Sequence, residues 1–270
     1  VDSFDYGNKY AFIEYIIDMV NDDQANLLVL TNNFDFFRNV KLRVKKLKPL
    51  IATINKTRQV ITLSKADDLF FNTTSVFKMD NERKVLLALP FAREIGQYQG
   101  CNKDYLNYFH IKANTDQLSF GDLITLIKNN IKNSIICSEK LKKPCNYLEK
   151  VYSICSEIIE EDNMSNFDIS SKIILSLGIR LKLEQILIRR DMSILDSIKG
   201  CQTRELFKKR KPLLSNDFIR VSQRILVSTP EFVHINAFMY EPLIDIPKEC
   251  LTNLFNRLVV FERDSSKIWK

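Results

Sequence analysis

The chain has 270 residues, with 40 Lys and Arg against 33 Asp and Glu and a formal net charge of +7. It is long enough to bury a sizeable core and to hold one large or two modest domains. With 6 Gly and 7 Pro it argues against a turn-rich all-β fold and for long helices. No apolar run reaches the roughly 18–20 residues of a bilayer crossing, so no membrane partner is expected and the chain reads as cytoplasmic. The cysteines Cys101, Cys137, Cys145, Cys155, Cys201 and Cys250 form no Cys-x-x-Cys pair, and only 2 His accompany them. No metal site is expected, and the thiols read as buried.

In chain order, Asp5 suits the N-cap of a helix over residues 8–20, apolar nearly all round, as in a helix packed on a sheet. Leu27–Leu30 is a continuous apolar run, the pattern of a central parallel strand covered on both faces. Asn33 can cap a helix over 34–46 whose core residues are Phe36, Phe37, Val40 and Val44. Residues 50–54 and 58–63, flanking Asn55-Lys56-Thr57, predict an antiparallel hairpin at the edge of the sheet.

From about residue 80 the pattern is helical. Asp80 can cap a helix that Pro90 should kink or break. Helical apolar spacing recurs over 119–132, 145–161, 168–190, 215–227 and 247–261. The boundary is placed near 96–104, around Gly96, Gly100 and Asn102. The expected fold is thus mixed α/β over residues 1–100, then mainly α over 101–270. Arg180 and Glu184, at i,i+4, predict a structural pair.

Several stretches resemble the carboxy-terminal third of prokaryotic AAA-family ATPases of the ABC type, RecF- and SMC-like, many of them associated with phage defence. They are Asp2-Ser3-Phe4-Asp5-Tyr6-Gly7-Asn8-Lys9-Tyr10, then Leu30–Arg38, then Leu89–Arg93, His110-Ile111-Lys112 with Gly121-Asp122-Leu123, and Asn236–Pro242. The resemblance implies that residues 1–100 are the last part of an ABC-type head, comprising D-loop, switch strand and hairpin. Asp5 would be the D-loop residue reaching across a head-to-head homodimer, and Ser3 would lie beside the nucleotide. Asn32 stands where the family has a switch histidine that contacts the γ-phosphate and the attacking water. An amide can donate a hydrogen bond there but cannot take a proton.

No Gly-rich loop ending in Lys-Ser/Thr occurs in the sequence. The resemblance therefore implies ATP and Mg2+ bound in a longer protein, with the phosphate-binding loop and acidic strand upstream of residue 1. No cofactor is expected for residues 1–270 alone.

Two further groups are candidates. Arg38, Lys41, Arg43, Lys45, Lys46 and Lys48 form either a solvated helix face or a phosphate-contacting stripe for DNA or RNA. The run Lys208–Lys211 is expected in a loop. His234, Asn236, Tyr240 and Glu241 form either a buried polar cluster or the centre of an effector that cuts RNA. Three functions stay open: a nucleotide-dependent switch engaging an effector protein or DNA, a helical effector acting on RNA, and a catalytically silent nucleic-acid-binding scaffold.

Overall fold

The computed structural model describes residues 6–21, 27–30, 36, 40, 52–56, 61–65, 82–98, 105–130, 145–161, 169–229, 243 and 246–270. The chain divides into two compact units, Val1–Phe70 and Phe71–Lys270.

In the first unit, helix α1 (Tyr6–Asn21) begins directly after Asp5. Ile13 and Ile16 form a small core with Phe36, joined by Phe12, Ile17, Val20 and Val40. The Phe12 and Phe36 rings stack with centroids 5.8 Å apart. Phe36 and Val40 are thus core, as their spacing predicts. Tyr15, however, is exposed, so α1 buries one face and is not enclosed all round. Strands β1 (Ala52–Lys56) and β2 (Ile61–Lys65) pair antiparallel, with Ile54 opposite Leu63. The pairing is centred two residues later than the hydrophobic pattern places it.

The mixed α/β expectation does not survive. Among the described residues the chain is mainly helical, and its strands are the two of this hairpin, with no parallel pair. Leu27–Leu30 forms no strand, and its residues are exposed, Leu28 at 82% and Leu30 at 72%. An apolar run is compatible with a covered parallel strand but does not supply the flanking strands that would cover it.

The second unit comprises α2 (Glu82–Tyr98), a short α3 (Leu106–Phe109), α4 (Phe120–Asn130), α5 (Tyr147–Glu160), α6 (Ile169–Ile188), α7 (Gln202–Arg210), α8 (Asn216–Ser228) and α9 (Lys248–Arg263). The five helical stretches read from the sequence match α4, α5, α6, α8 and α9 to within two residues at each end. Helix α2, assigned by sequence to residues 1–100, packs here against α4 and α6, and it continues through Pro90 unbroken.

Side-chain caps fix several helix starts. Ser119 and Asp122 exchange reciprocal bonds at the start of α4, 3.0 and 3.1 Å long. Asn146 accepts from the Leu148 and Glu149 N–H groups at the start of α5, and Ser215 accepts from Phe218 N–H at the start of α8.

Helix α6 is the axis of the unit. Residues 171–184 are all buried, and α2, α5, α7, α8 and α9 all pack against it. At Gly178 α6 lies close against Cys155 of α5. A Cβ there would meet Cys155 Sγ closer than any real Cβ contact. Cys155 donates to the Ile174 carbonyl at 3.7 Å, and burial pushes its thiol up to about 12. Of the other described cysteines, Cys145, Cys201 and Cys250 are half-buried, so the buried reading holds only for Cys155 among them.

Gly178→Ala is expected to destabilise the protein by about 1–3 kcal/mol through overpacking. Adding Cys155→Ala should recover most of that loss, because the clash is with its sulfur. Thermal melts of the three variants check this; additive losses in the double variant would disprove the close-approach explanation.

Candidate functional site

None of the residues assigned to a site by sequence lies among the described ones. This holds for Ser3, Asp5 and Asn32, for Arg38, Arg43, Lys45, Lys46 and Lys48, and for His234, Asn236, Tyr240 and Glu241. The structure instead assembles a polar site around Glu184, in the last third of α6.

Glu184 is fully buried. Each of its oxygens receives two hydrogen bonds. Oε1 is 2.8 Å from His110 Nδ1 and accepts from Thr203 Oγ1 at 2.6 Å. Oε2 accepts from the Ile111 N–H at 2.9 Å and from Gln202 Nε2 at 2.8 Å. The network extends outward: Gln202 Nε2 also lies 2.7 Å from the Ile111 carbonyl, and its Oε1 accepts from Lys112 Nζ at 2.6 Å. His110 follows α3, and Gln202 and Thr203 form the first turn of α7, so two distant segments converge on the carboxylate of a third.

The protonation pattern follows from this geometry. Burial pushes the Glu184 carboxyl up, but attraction to His110 and hydrogen bonds from His110, Thr203 and the Ile111 N–H outweigh it, leaving the group below its ordinary value of 4.5. The carboxylate is therefore ionised and can only accept, so His110 Nδ1 carries the hydrogen. His110 Nε2 has no hydrogen-bond partner among the described residues, and the residue keeps 8% of its surface exposed. An imidazole oriented by a buried carboxylate, with its second nitrogen unengaged, is an arrangement suited to exchanging a proton.

The expected Arg180–Glu184 pair does not form. Arg180 Nε donates to Thr229 Oγ1 at 2.8 Å and Nη2 donates to the Thr229 carbonyl. Thr229 is the C-cap of α8, so the guanidinium sits at the negative end of that helix. Spacing of i,i+4 places two side chains on one face but does not decide which neighbour each meets when the helix is enclosed. The run Lys208–Lys211 likewise closes α7 and enters a 3₁₀ turn (Lys211–Leu213), and is not a loop. Arg210 is buried there, donating from Nε to the Leu187 carbonyl at 3.1 Å and from Nη2 to the Asp191 carbonyl at 2.8 Å.

Sequence reasoning missed Gln202 and Thr203 altogether and gave Glu184 the wrong partner. The available signal was a Glu in the middle of a helix otherwise patterned for burial, which needs compensating donors. Among the described residues no group of three or more His, Cys, Asp or Glu is placed to hold a metal ion, and no helix is long and apolar enough to cross a membrane. No protein-family model, curated protein or solved structure matches the chain.

Glu184→Gln replaces two acceptors by one acceptor and a donor amide that faces the Ile111 N–H or Thr203. It is expected to destabilise the protein by about 3 kcal/mol. Because folding lowers the Glu184 value, its contribution is present above pH 4.5 and fades as the pH falls below that. The stability difference between wild type and Glu184→Gln should therefore shrink on acidification below pH 4.5, as measured by urea unfolding. A difference independent of pH would refute the ionised assignment.

Proposed function

We propose that the chain is the carboxy-terminal portion of a RecF/SMC-like ATPase, working as a nucleotide-dependent switch in phage defence or DNA maintenance. In this reading Asp5 and Asn32 face a second copy of the head, and residues 71–270 transmit the nucleotide state to DNA or to an effector protein. The observation that carries it is the order of the motifs, Asp2–Tyr10 followed by Leu30–Arg38, with Leu89–Arg93, His110–Lys112 and Asn236–Pro242 beyond. Helix α1 starting at Tyr6, directly after Asp2–Asp5 in the sequence, supports the same order. A parallel-sheet head is no part of the proposal, since Leu27–Leu30 forms no strand.

The described residues do not fit ATP and Mg2+. They offer no cluster of metal-ligating side chains, and the sequence has no phosphate-cradling loop. Both ligands, and the chemical step that needs them, are assigned to residues outside 1–270. What the second unit contributes is stiffness. A helix enclosed on all sides and pinned by buried charges moves as one piece, as a lever between sites requires.

In the full-length protein, Asp5→Ala is expected to lower ATP turnover at least about tenfold while ATP still binds, because the residue acts across the dimer. Asn32→His should raise turnover about tenfold or more by restoring a group able to take a proton. Residues 1–270 alone should show no saturable turnover. Steady-state phosphate release checks all three. Turnover by residues 1–270, or indifference of the full-length protein to both substitutions, sinks the reading.

A further inference from the structure

Among the described residues, one corner of the second unit gathers more cations than anions. The ends of α6 and α7 meet there through Arg210, which binds the Leu187 and Asp191 carbonyls. The carboxy-terminal strand-like segment joins them: Leu214 bridges Trp269, and Lys270 N–H donates to the Leu213 carbonyl at 2.9 Å. Arg190 lies over the Trp269 ring at 4.2 Å, and Lys270 Nζ donates to the Pro212 carbonyl at 3.2 Å. Arg190, Arg204, Lys208, Lys209, Lys211 and Lys270 are all exposed, and none has a carboxylate partner among the described residues.

Three acids of this corner are already paired. Asp191 pairs with Arg210 at 3.2 Å, Asp264 with Lys267 at 2.9 Å, and Glu262 with Lys182 at 2.6 Å. Glu205 accepts from the Lys199 N–H at 3.1 Å. Among the described residues the six exposed cations still outnumber the carboxylates without an ion-pair partner, Glu205 and Asp196, and like charges held together repel unless an anion is bound.

We propose that this corner binds the phosphate backbone of a nucleic acid. Arg204, Lys208 and Lys211 stand at i, i+4 and i+7 on the exposed side of α7 and the turn that follows it, a row about 10 Å long at 1.5 Å per residue. That length covers about three phosphates at 3.4 Å per nucleotide of a strand. Lysine is depleted in protein–protein interfaces, whose centres are apolar, and it is abundant in phosphate contacts. Exposed large apolar side chains are few beside it, Leu213 and Met192 among the described residues. The row supplies charge without a base-reading element, so the contact is to backbone and independent of sequence. It does not rest on the ATPase reading, and the binding needs no nucleotide.

The test uses the full chain and fluorescein-labelled RNA, single-stranded DNA and duplex DNA of about 20 nucleotides, followed by anisotropy across a salt series. Wild type should bind with an affinity that falls steeply with salt. Arg204→Glu/Lys208→Glu/Lys211→Glu should weaken binding at least about tenfold near 0.1 M salt and flatten the log–log salt slope by about 2–3. Lys128→Glu, on α4, should change affinity less than about twofold as a single remote charge change. Melting curves confirm that the variants are folded; should the triple reversal unfold, Lys208→Gln/Lys211→Gln should flatten the slope by about 1.4–1.8. Absence of salt-dependent binding, equal binding by the variants, or a preference for phosphatidylserine vesicles or polyglutamate that nucleic acid does not compete away would each overturn the proposal.

Discussion

The second unit depends on one constraint: helix α6 is buried along nearly its whole length and still carries four charged residues. Lys172, Arg180, Lys182 and Glu184 are each at most 4% exposed. A charge in that position is tolerated only with a partner close by, because removal from water costs several kcal/mol. Each of the four meets a different piece of the unit. Lys172 donates to the Leu243 carbonyl at 3.0 Å, Arg180 holds the end of α8, Lys182 binds Glu262 of α9 while lying 4.0 Å from the centre of the Tyr152 ring, and Glu184 gathers His110, Ile111, Gln202 and Thr203.

Apolar packing alone would let neighbouring helices slide against α6 at small cost. The charges remove that freedom. Shifting α8 or α9 by one turn along α6 would strand a buried cation, a penalty far larger than the loss of a few methyl contacts. Gly178 acts in the same direction by sterics, since only a residue without a Cβ lets Cys155 of α5 come down onto α6. Register is thus set by polar pins and by one missing side chain, and burial supplies the driving force.

Helices were legible because their apolar period is local: α4, α5, α6, α8 and α9 could be bounded from spacing alone. Topology was not, because Leu27–Leu30 has the composition of a buried strand and nothing in four residues records whether flanking strands exist. Short helix α7 was hidden by its charge, since Lys208, Lys209 and Lys211 look like a solvated loop until Leu206 and Phe207 are seen to be buried. The Glu184 site was hidden for another reason. His110 and Glu184 are 74 positions apart, and no local pattern marks which donor will answer a buried carboxylate.

That separation also bears on how the molecule comes into being. Gln202 follows Ile111 by 91 residues, yet both must be present before Glu184 can be satisfied. At roughly 5–20 residues per second, a ribosome takes about 5–20 s to travel between them. During that interval the segment around His110 has left the tunnel without its anion, and α6 emerges with a carboxylate that cannot yet be buried. The Glu184 network can therefore close only after α7 has been synthesised.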